Sequence, residues 1–138
     1  MDSALIEKKL AFIDTCLREL VELADPERLD SDVRERRFVE HTLQLAIQAA
    51  LDVASHWVSA RRLGEPETNR DLFTFLAADR VIDDSLGETL AAMASFRNIL
   101  VHGYQTVSTK RLQDILASHL GDLRAFSHAV RASLALQP

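Results

Sequence analysis

Hydrophobic residues recur every three to four positions along most of the chain, which is the spacing of one face of an α-helix. We expect a first helix that ends before Asp25-Pro26, because the residue preceding a proline is pushed out of the α region. The apolar face expected for this helix contains Leu5, Leu10, Phe12, Ile13, Leu17, Leu20 and Val21.

The second predicted helix is longer and runs from about Val33 to Arg62. Asp32 and Glu35 have the spacing of a capping box at its start, and Gly64 followed by Pro66 is typical of a helix end. Small residues in this helix would allow another helix to approach closely. The expected apolar stripe contains Val39, Leu43, Ile47, Ala50, Ala54 and Trp57.

Two further helices are predicted in the middle of the chain. The segment Thr68 to Asp71 resembles a cap that opens a short helix. Ser85 and Glu88 are spaced as a capping box for a fourth helix, which we expect to end at Gly103. The apolar face expected for this fourth helix contains Leu86, Leu90, Met93, Ala94 and Ile99.

The last predicted helix runs from about Thr109 to Leu136, and Gly121 lies inside it. Glycine in a helix costs about 1 kcal/mol relative to alanine, so a bend is expected there. Helical segments with short connections, without an alternating strand pattern or a linker, indicate an all-α bundle. We therefore expect residues 1–138 to form a single domain of four to five antiparallel helices.

Composition limits the functions that such a bundle can have. The 138 residues include 16 Lys and Arg against 21 Asp and Glu, which gives a net charge of −5. An acidic chain must bind nucleic acid through a local basic site and not through bulk charge. The lone Cys16 excludes a disulfide framework and favours a reducing cytoplasm. Charges interrupt every apolar stretch, so no membrane association is expected.

Histidines were the first candidates for chemistry, but no two of the five are three or four residues apart. No single helix therefore offers a two-histidine metal face. The sequence also lacks a glycine-rich phosphate loop, a nucleophile elbow and a Cys-His pair. We expect neither a metal ion nor a cofactor.

The remaining constellation is the segment FRNILVHGY, which contains Arg97 and His102. Arginine offers a planar set of charged donors for a phosphate, and histidine can exchange a proton near neutral pH. Five residues turn about 140° around a helix, so the two side chains diverge on a straight helix. They would converge if the helix unwound near Gly103 or if two copies met in a symmetric dimer. From these residues alone, an arginine at a helix end with an incidental histidine remains an alternative.

Arg97, four intervening residues, His102, one residue and Tyr104 together resemble the signature of HEPN proteins of the HepT type. The resemblance extends beyond this motif. The run LAIQAALDVASHWVSARRLGEP is similar to the second helix and following turn of that family, and DLFTFLAADRVIDDSLGETLAAMASFRNILVHGY is similar to its third and fourth helices. The resemblance covers the chain from about Arg34 onward and includes Asn98 directly after the motif arginine.

This resemblance implies a homodimeric HEPN-type bundle that acts as a ribonuclease toxin of a two-gene toxin–antitoxin module. Arg97 and His102 would be catalytic in a cleft shared by two subunits, and they would cleave RNA without a metal ion. The partner would be a nucleotidyltransferase antitoxin of the MNT type, which silences the toxin by transferring AMP to Tyr104.

Three residues are candidates for supporting roles. Asn98 belongs to the matching motif. Asp52 and His56 lie four residues apart on the second helix and project to one side, where they could orient Arg97 or His102. An ordinary surface pair is the alternative for Asp52 and His56.

Two other functions stay open at this point. One is a catalytically silent module that binds a nucleotide or docks a nucleotidyltransferase. The other is a purely structural helical dimer.

Overall fold

The structure is a computed structural model that describes residues 1–102 and 107–137. These residues contain six α-helices and one 3₁₀ turn, and they contain no β-strand. The helices are α1 (Ser3–Leu23), α2 (Val33–Ala60), α3 (Asn69–Ala78), α4 (Asp84–His102), α5 (Thr109–Ser118) and α6 (Leu120–Ala135), with the 3₁₀ turn at Pro26–Arg28. The predicted all-α fold is confirmed.

Helix α2 lies at the centre of the bundle, where it packs against α1, α3, α4 and α6. Its small residues Ala46, Ala50 and Ala54 are fully buried, and Trp57 is almost completely buried among the core side chains. Alanines let the neighbouring helix backbones approach closely. The expected apolar stripe of α2 is therefore its core face. No helix within the described residues combines the length and the hydropathy of a membrane span.

The expected apolar faces of α1 and α4 are partly wrong. Leu5, Phe12 and Val21 of α1 are 40%, 43% and 62% exposed, and Ile99 of α4 is 50% exposed. A helix that packs along one side needs only a narrow stripe of core residues. In α1 this stripe consists of Ile6, Leu10, Ile13, Cys16, Leu17 and Leu20.

Helix caps follow the predicted residues at two of three sites. Asp32 caps α2 by accepting the backbone N–H of Arg34 at 2.9 Å, but the Glu35 carboxylate accepts the N–H of Asp25 instead of closing the capping box. The box formed by Thr68 and Asp71 is present at α3.

The predicted cap of α4 is wrong. This helix begins one residue before Ser85, at Asp84, and Asp83 accepts the Leu86 N–H at 2.7 Å. An aspartate two residues ahead of the predicted serine therefore caps α4.

The single long helix expected at the C-terminus is two helices, α5 and α6, which meet at His119. The His119 ring contacts the Asp122 carboxylate at 2.9 Å across this break. Gly121 lies in the first turn of α6, so the expected bend occurs two residues before it. This break raises the number of helices in the described residues above the predicted four to five.

An ion pair fastens the C-terminal end of α2 to the end of α3. Arg61 donates to both carboxylate oxygens of Asp79, at 2.7 and 3.1 Å, and the Trp57 indole N–H donates to the same group at 3.3 Å. The hydrogen bond from Arg61 and that from Trp57 hold the pKa of Asp79 below its ordinary value. Asp79 thus joins a buried aromatic residue to a surface cation.

We expect Asp79→Asn to lower the free energy of unfolding at pH 7 by about 1–2 kcal/mol, because a charge-assisted hydrogen bond is lost. A carboxylate with a depressed folded pKa stabilises the fold above its unfolded pKa, and this contribution disappears as the pH falls through the folded value. The difference between wild type and variant should therefore shrink below about pH 4. Urea unfolding at pH 7 and pH 3 measures it, with Asp114→Asn on the exposed side of α5 as control. An equal loss at both pH values would contradict the prediction.

Candidate active site

The motif residues lie on the last two turns of α4. Phe96 is 3% exposed and anchors this part of α4 in the core, so the next residue, Arg97, lies at the border between core and solvent. Arg97 is half-buried, whereas Asn98 and His102 are exposed. The end of α4 thus carries a partly desolvated guanidinium and, five residues later, an accessible imidazole.

The guanidinium of Arg97 is incompletely satisfied. Its Nη1 donates to Oδ1 of Asn98 at 3.3 Å, which makes Asn98 the side chain that orients it. Its Nε is buried and has no hydrogen-bond partner among the described residues. Buried donors without an acceptor are rare in folded proteins. Within the described residues, Arg97 thus uses little of the hydrogen-bonding capacity of its guanidinium.

Helix α4 remains helical through His102, its last residue. Arg97 and His102 consequently keep the separation of a regular helix, about 140° around the axis and about 7.5 Å along it. The side chains of Arg97 and His102 could converge if the helix unwound or if two copies formed a dimer. Unwinding is not observed up to His102. Gly103 and Tyr104 lie outside the described residues.

A second arginine packs on Phe96, the residue before Arg97, and was not identified from the sequence. The guanidinium carbon of Arg111 lies 5.5 Å from the centre of the Phe96 ring, a cation–π contact between α5 and α4. The Ser108 side chain caps α5 by accepting the Arg111 N–H at 3.3 Å. Fourteen residues separate Arg111 from Arg97, and no local sequence signal could have paired them.

Among the described residues, Asp52 and His56 form no hydrogen bond with Arg97, Asn98 or His102. The Asp52 carboxylate accepts hydrogen bonds from Lys9 at 3.1 Å and from Gln48 at 2.8 Å. The His56 Nε2 accepts the backbone N–H of Asp2 at 3.3 Å. Both side chains are bound at the N-terminal part of the chain, so nothing within one protomer supports the expected role beside Arg97 or His102. The described residues also contain no group of three His, Cys, Asp or Glu side chains that could hold a metal ion.

Comparison with known proteins identifies the family. Residues 13–130 match the family described as Ribonuclease HepT-like. The chain belongs to this family. The HepT-like ribonucleases include two relatives with assigned activities. One is the mRNA nuclease HepT of Shewanella oneidensis, 30% identical over 129 residues that cover 93% of this chain and 97% of that protein.

The other relative is the tRNA nuclease HepT of Aphanizomenon flos-aquae, which is 27% identical over 114 residues, 81% of this chain and 78% of that protein. A solved structure of the tri-AMPylated Shewanella oneidensis HEPN toxin in complex with its MNT antitoxin is 30% identical. It superimposes with a TM-score of 0.87 and covers 96% of this chain and 99% of that one.

These similarities confirm the HepT-type family, the HEPN helical fold and the endoribonuclease class that the sequence predicted. The similarity extends over nearly the whole chain and includes α4 with Arg97, Asn98 and His102. The roles of the individual site residues remain predictions.

Proposed function

We propose that this protein is the ribonuclease toxin of a toxin–antitoxin pair, acting in the cytoplasm. Two copies of the α4 motif complete its active site, and a nucleotidyltransferase antitoxin silences it by AMPylation of Tyr104. The observation that carries the proposal is the end of α4, where a buried and unsatisfied Arg97 Nε and an exposed His102 lie on different sides of one continuous helix.

A homodimer through this part of α4 is supported by the residues around the motif. Val101 is 38% exposed although it is large and apolar, and it lies between Arg97 and His102 around the axis of α4. A second copy packed on this face would cover it. It would also place His102 of one subunit near Arg97 of the other, which the 140° divergence prevents within one chain.

The reaction proposed for this site is transesterification of RNA. His102 of one copy takes the proton from a ribose 2′-hydroxyl, and the 2′-oxygen forms a bond to the adjacent phosphorus. The bond from phosphorus to the 5′-oxygen breaks, and that oxygen takes a proton from water while His102 returns its proton to solvent. Arg97 of the other copy stabilises the charge on the non-bridging oxygens. The products carry a 2′,3′-cyclic phosphate and a 5′-hydroxyl.

Control by AMPylation is supported by the relative whose toxin is tri-AMPylated in complex with its MNT antitoxin. Tyr104 follows His102 by two residues. An AMP group on Tyr104 would add bulk and a negative phosphate near Arg97, and it would compete with RNA for the guanidinium. The partner of this chain would accordingly be an MNT-type nucleotidyltransferase.

The experiment that tests the proposed function combines cleavage with intact mass. Protein purified alone should cut RNA in the presence of EDTA and leave 2′,3′-cyclic phosphate ends, and a 2′-deoxy substitution at the cut site should block the reaction. Protein co-expressed with its nucleotidyltransferase should gain the mass of one or more AMP groups on the Tyr104 peptide and lose activity. Tyr104→Phe is the matched control that should stay active and unmodified at this position. Metal-dependent cleavage with 5′-phosphate ends, or no cleavage at all, would contradict the proposal.

A further inference from the structure

An open cleft of about 690 Å³ lies directly beside the end of α4. It is lined by the first turns of α2, by the last turn of α4 and by Val107. From α4, Ile99 and Leu100 line it. The cleft is therefore adjacent to the helical turn that carries Arg97.

The α2 side of this cleft is rich in cations. Arg36, Arg37 and His41 line it, and Glu40 is the acidic residue among the described lining side chains. Arg36 has a structural task, because it donates to the Val107 carbonyl at 2.8 Å and to Asp30 at 3.2 Å, and its side chain is only 17% exposed. It fixes the start of α2 to the chain just before α5.

Arg37 and His41 have no comparable task. Both are exposed and lie one helical turn apart on the same face of α2. None of the ion pairs formed among residues 1–102 and 107–137 involves either side chain. In a chain of net charge −5, an exposed arginine that forms no ion pair among the described residues, one helical turn from an exposed histidine and beside the motif, favours an anionic ligand.

We infer that this cleft is a subsite for the RNA backbone, in which Arg37 and His41 hold phosphates that neighbour the one bound by Arg97. The inference rests on the proposed function and adds positioning residues to it. RNA bound at Arg97 must continue in both directions along its backbone, and one direction leads past Leu100, about 60° from Arg97 around the axis of α4, into the cleft. The apolar side chains of Ile99 and Leu100 provide a surface for a ribose or a base, while Arg37 supplies a positive charge and His41 a ring N–H donor for the phosphates.

The test measures RNA binding in a His102→Ala background, so that cleavage does not interfere. We expect Arg37→Gln to weaken binding of a single-stranded RNA about 3- to 10-fold at low salt. The slope of log K against log salt should fall by about 0.7, the value for one phosphate contact on a single strand. Arg37→Lys should retain the slope, because it keeps the charge. In the cleavage-competent protein, Arg37→Gln should raise KM and leave kcat unchanged.

Arg18→Gln is the matched control, because Arg18 is an exposed arginine that lines a different cleft, between α1 and α6. It removes the same charge from the chain away from α4. If Arg37→Gln and Arg18→Gln give equal affinities and equal salt slopes, the subsite is overturned. The same holds if Arg37→Gln weakens binding of the nucleotidyltransferase and leaves RNA binding intact. If the His102→Ala protein binds no RNA before any change at Arg37, the proposed function itself fails, so the two failures are distinguishable.

Discussion

Arg97→Ala is expected to lower kcat/KM for RNA cleavage about 10³-fold. The loss follows from the position of Arg97, whose half-buried guanidinium has an unsatisfied Nε and is oriented by Asn98. A preorganised charged donor in a partly desolvated site contributes about 10²–10³-fold to the stabilisation of a transition state. Removal of Arg97 should also weaken binding of the phosphate, which adds to this factor.

Arg97→Lys separates charge from geometry. Lysine keeps the positive charge and loses the planar fork together with the buried Nε, so we expect activity about tenfold above Arg97→Ala but well below wild type.

His102→Ala should cost about 10²–10⁴-fold in activity, the usual contribution of general acid–base catalysis. Steady-state cleavage of a fluorogenic RNA measures all three variants, and far-ultraviolet circular dichroism checks that each is folded. Activity of Arg97→Ala within tenfold of wild type would remove Arg97 from the site.

The fold was predictable from the sequence because the periodicity of the apolar residues reports directly on helices. The prediction is wrong where several neighbouring polar residues could each cap the same helix. Asp83, Asp84 and Ser85 are all good caps, and their identities alone do not show that Asp83 is the one used. The break at His119 has a similar origin, because the apolar spacing continues through it and only the turn between α5 and α6 reveals it.

The candidate site was predictable where its residues are close together in the sequence. Arg97, Asn98 and His102 lie within six residues of one helix, so a motif can carry them. Arg111 contacts Phe96 from α5, and Arg37 lines a cleft with Ile99 and Leu100 from α2, so only tertiary packing brings these two residues to α4. Asp52 and His56 are local as well, but their partners are not. Their spacing predicts that they share one face of α2, and the N-terminal part of the chain contacts that face. Which face of a central helix meets which neighbour is not contained in its own periodicity.

Mixed dimers provide the second large expected effect, because they test whether two copies share one site. Arg97→Ala and His102→Ala homodimers should each be nearly inactive. A mixture that has exchanged subunits should regain at least about tenfold over either parent. The reason is that each mixed dimer retains one intact Arg97 and one intact His102 on opposite subunits, and two-fold symmetry places these in one composite cleft.

The size of this recovery has an upper limit. Random exchange makes about half of the dimers mixed, and each mixed dimer keeps one of two equivalent Arg97–His102 pairs, so the mixture should reach at most about a quarter of the wild-type rate. The measurement titrates one inactive variant with the other and follows RNA cleavage, with Arg97→Ala mixed with itself as control. A mixture that shows only the sum of its parents would mean that Arg97 and His102 do not act across the dimer. Because α4 is continuous from Asp84 to His102, a site within one chain would then require a rearrangement of its last turns.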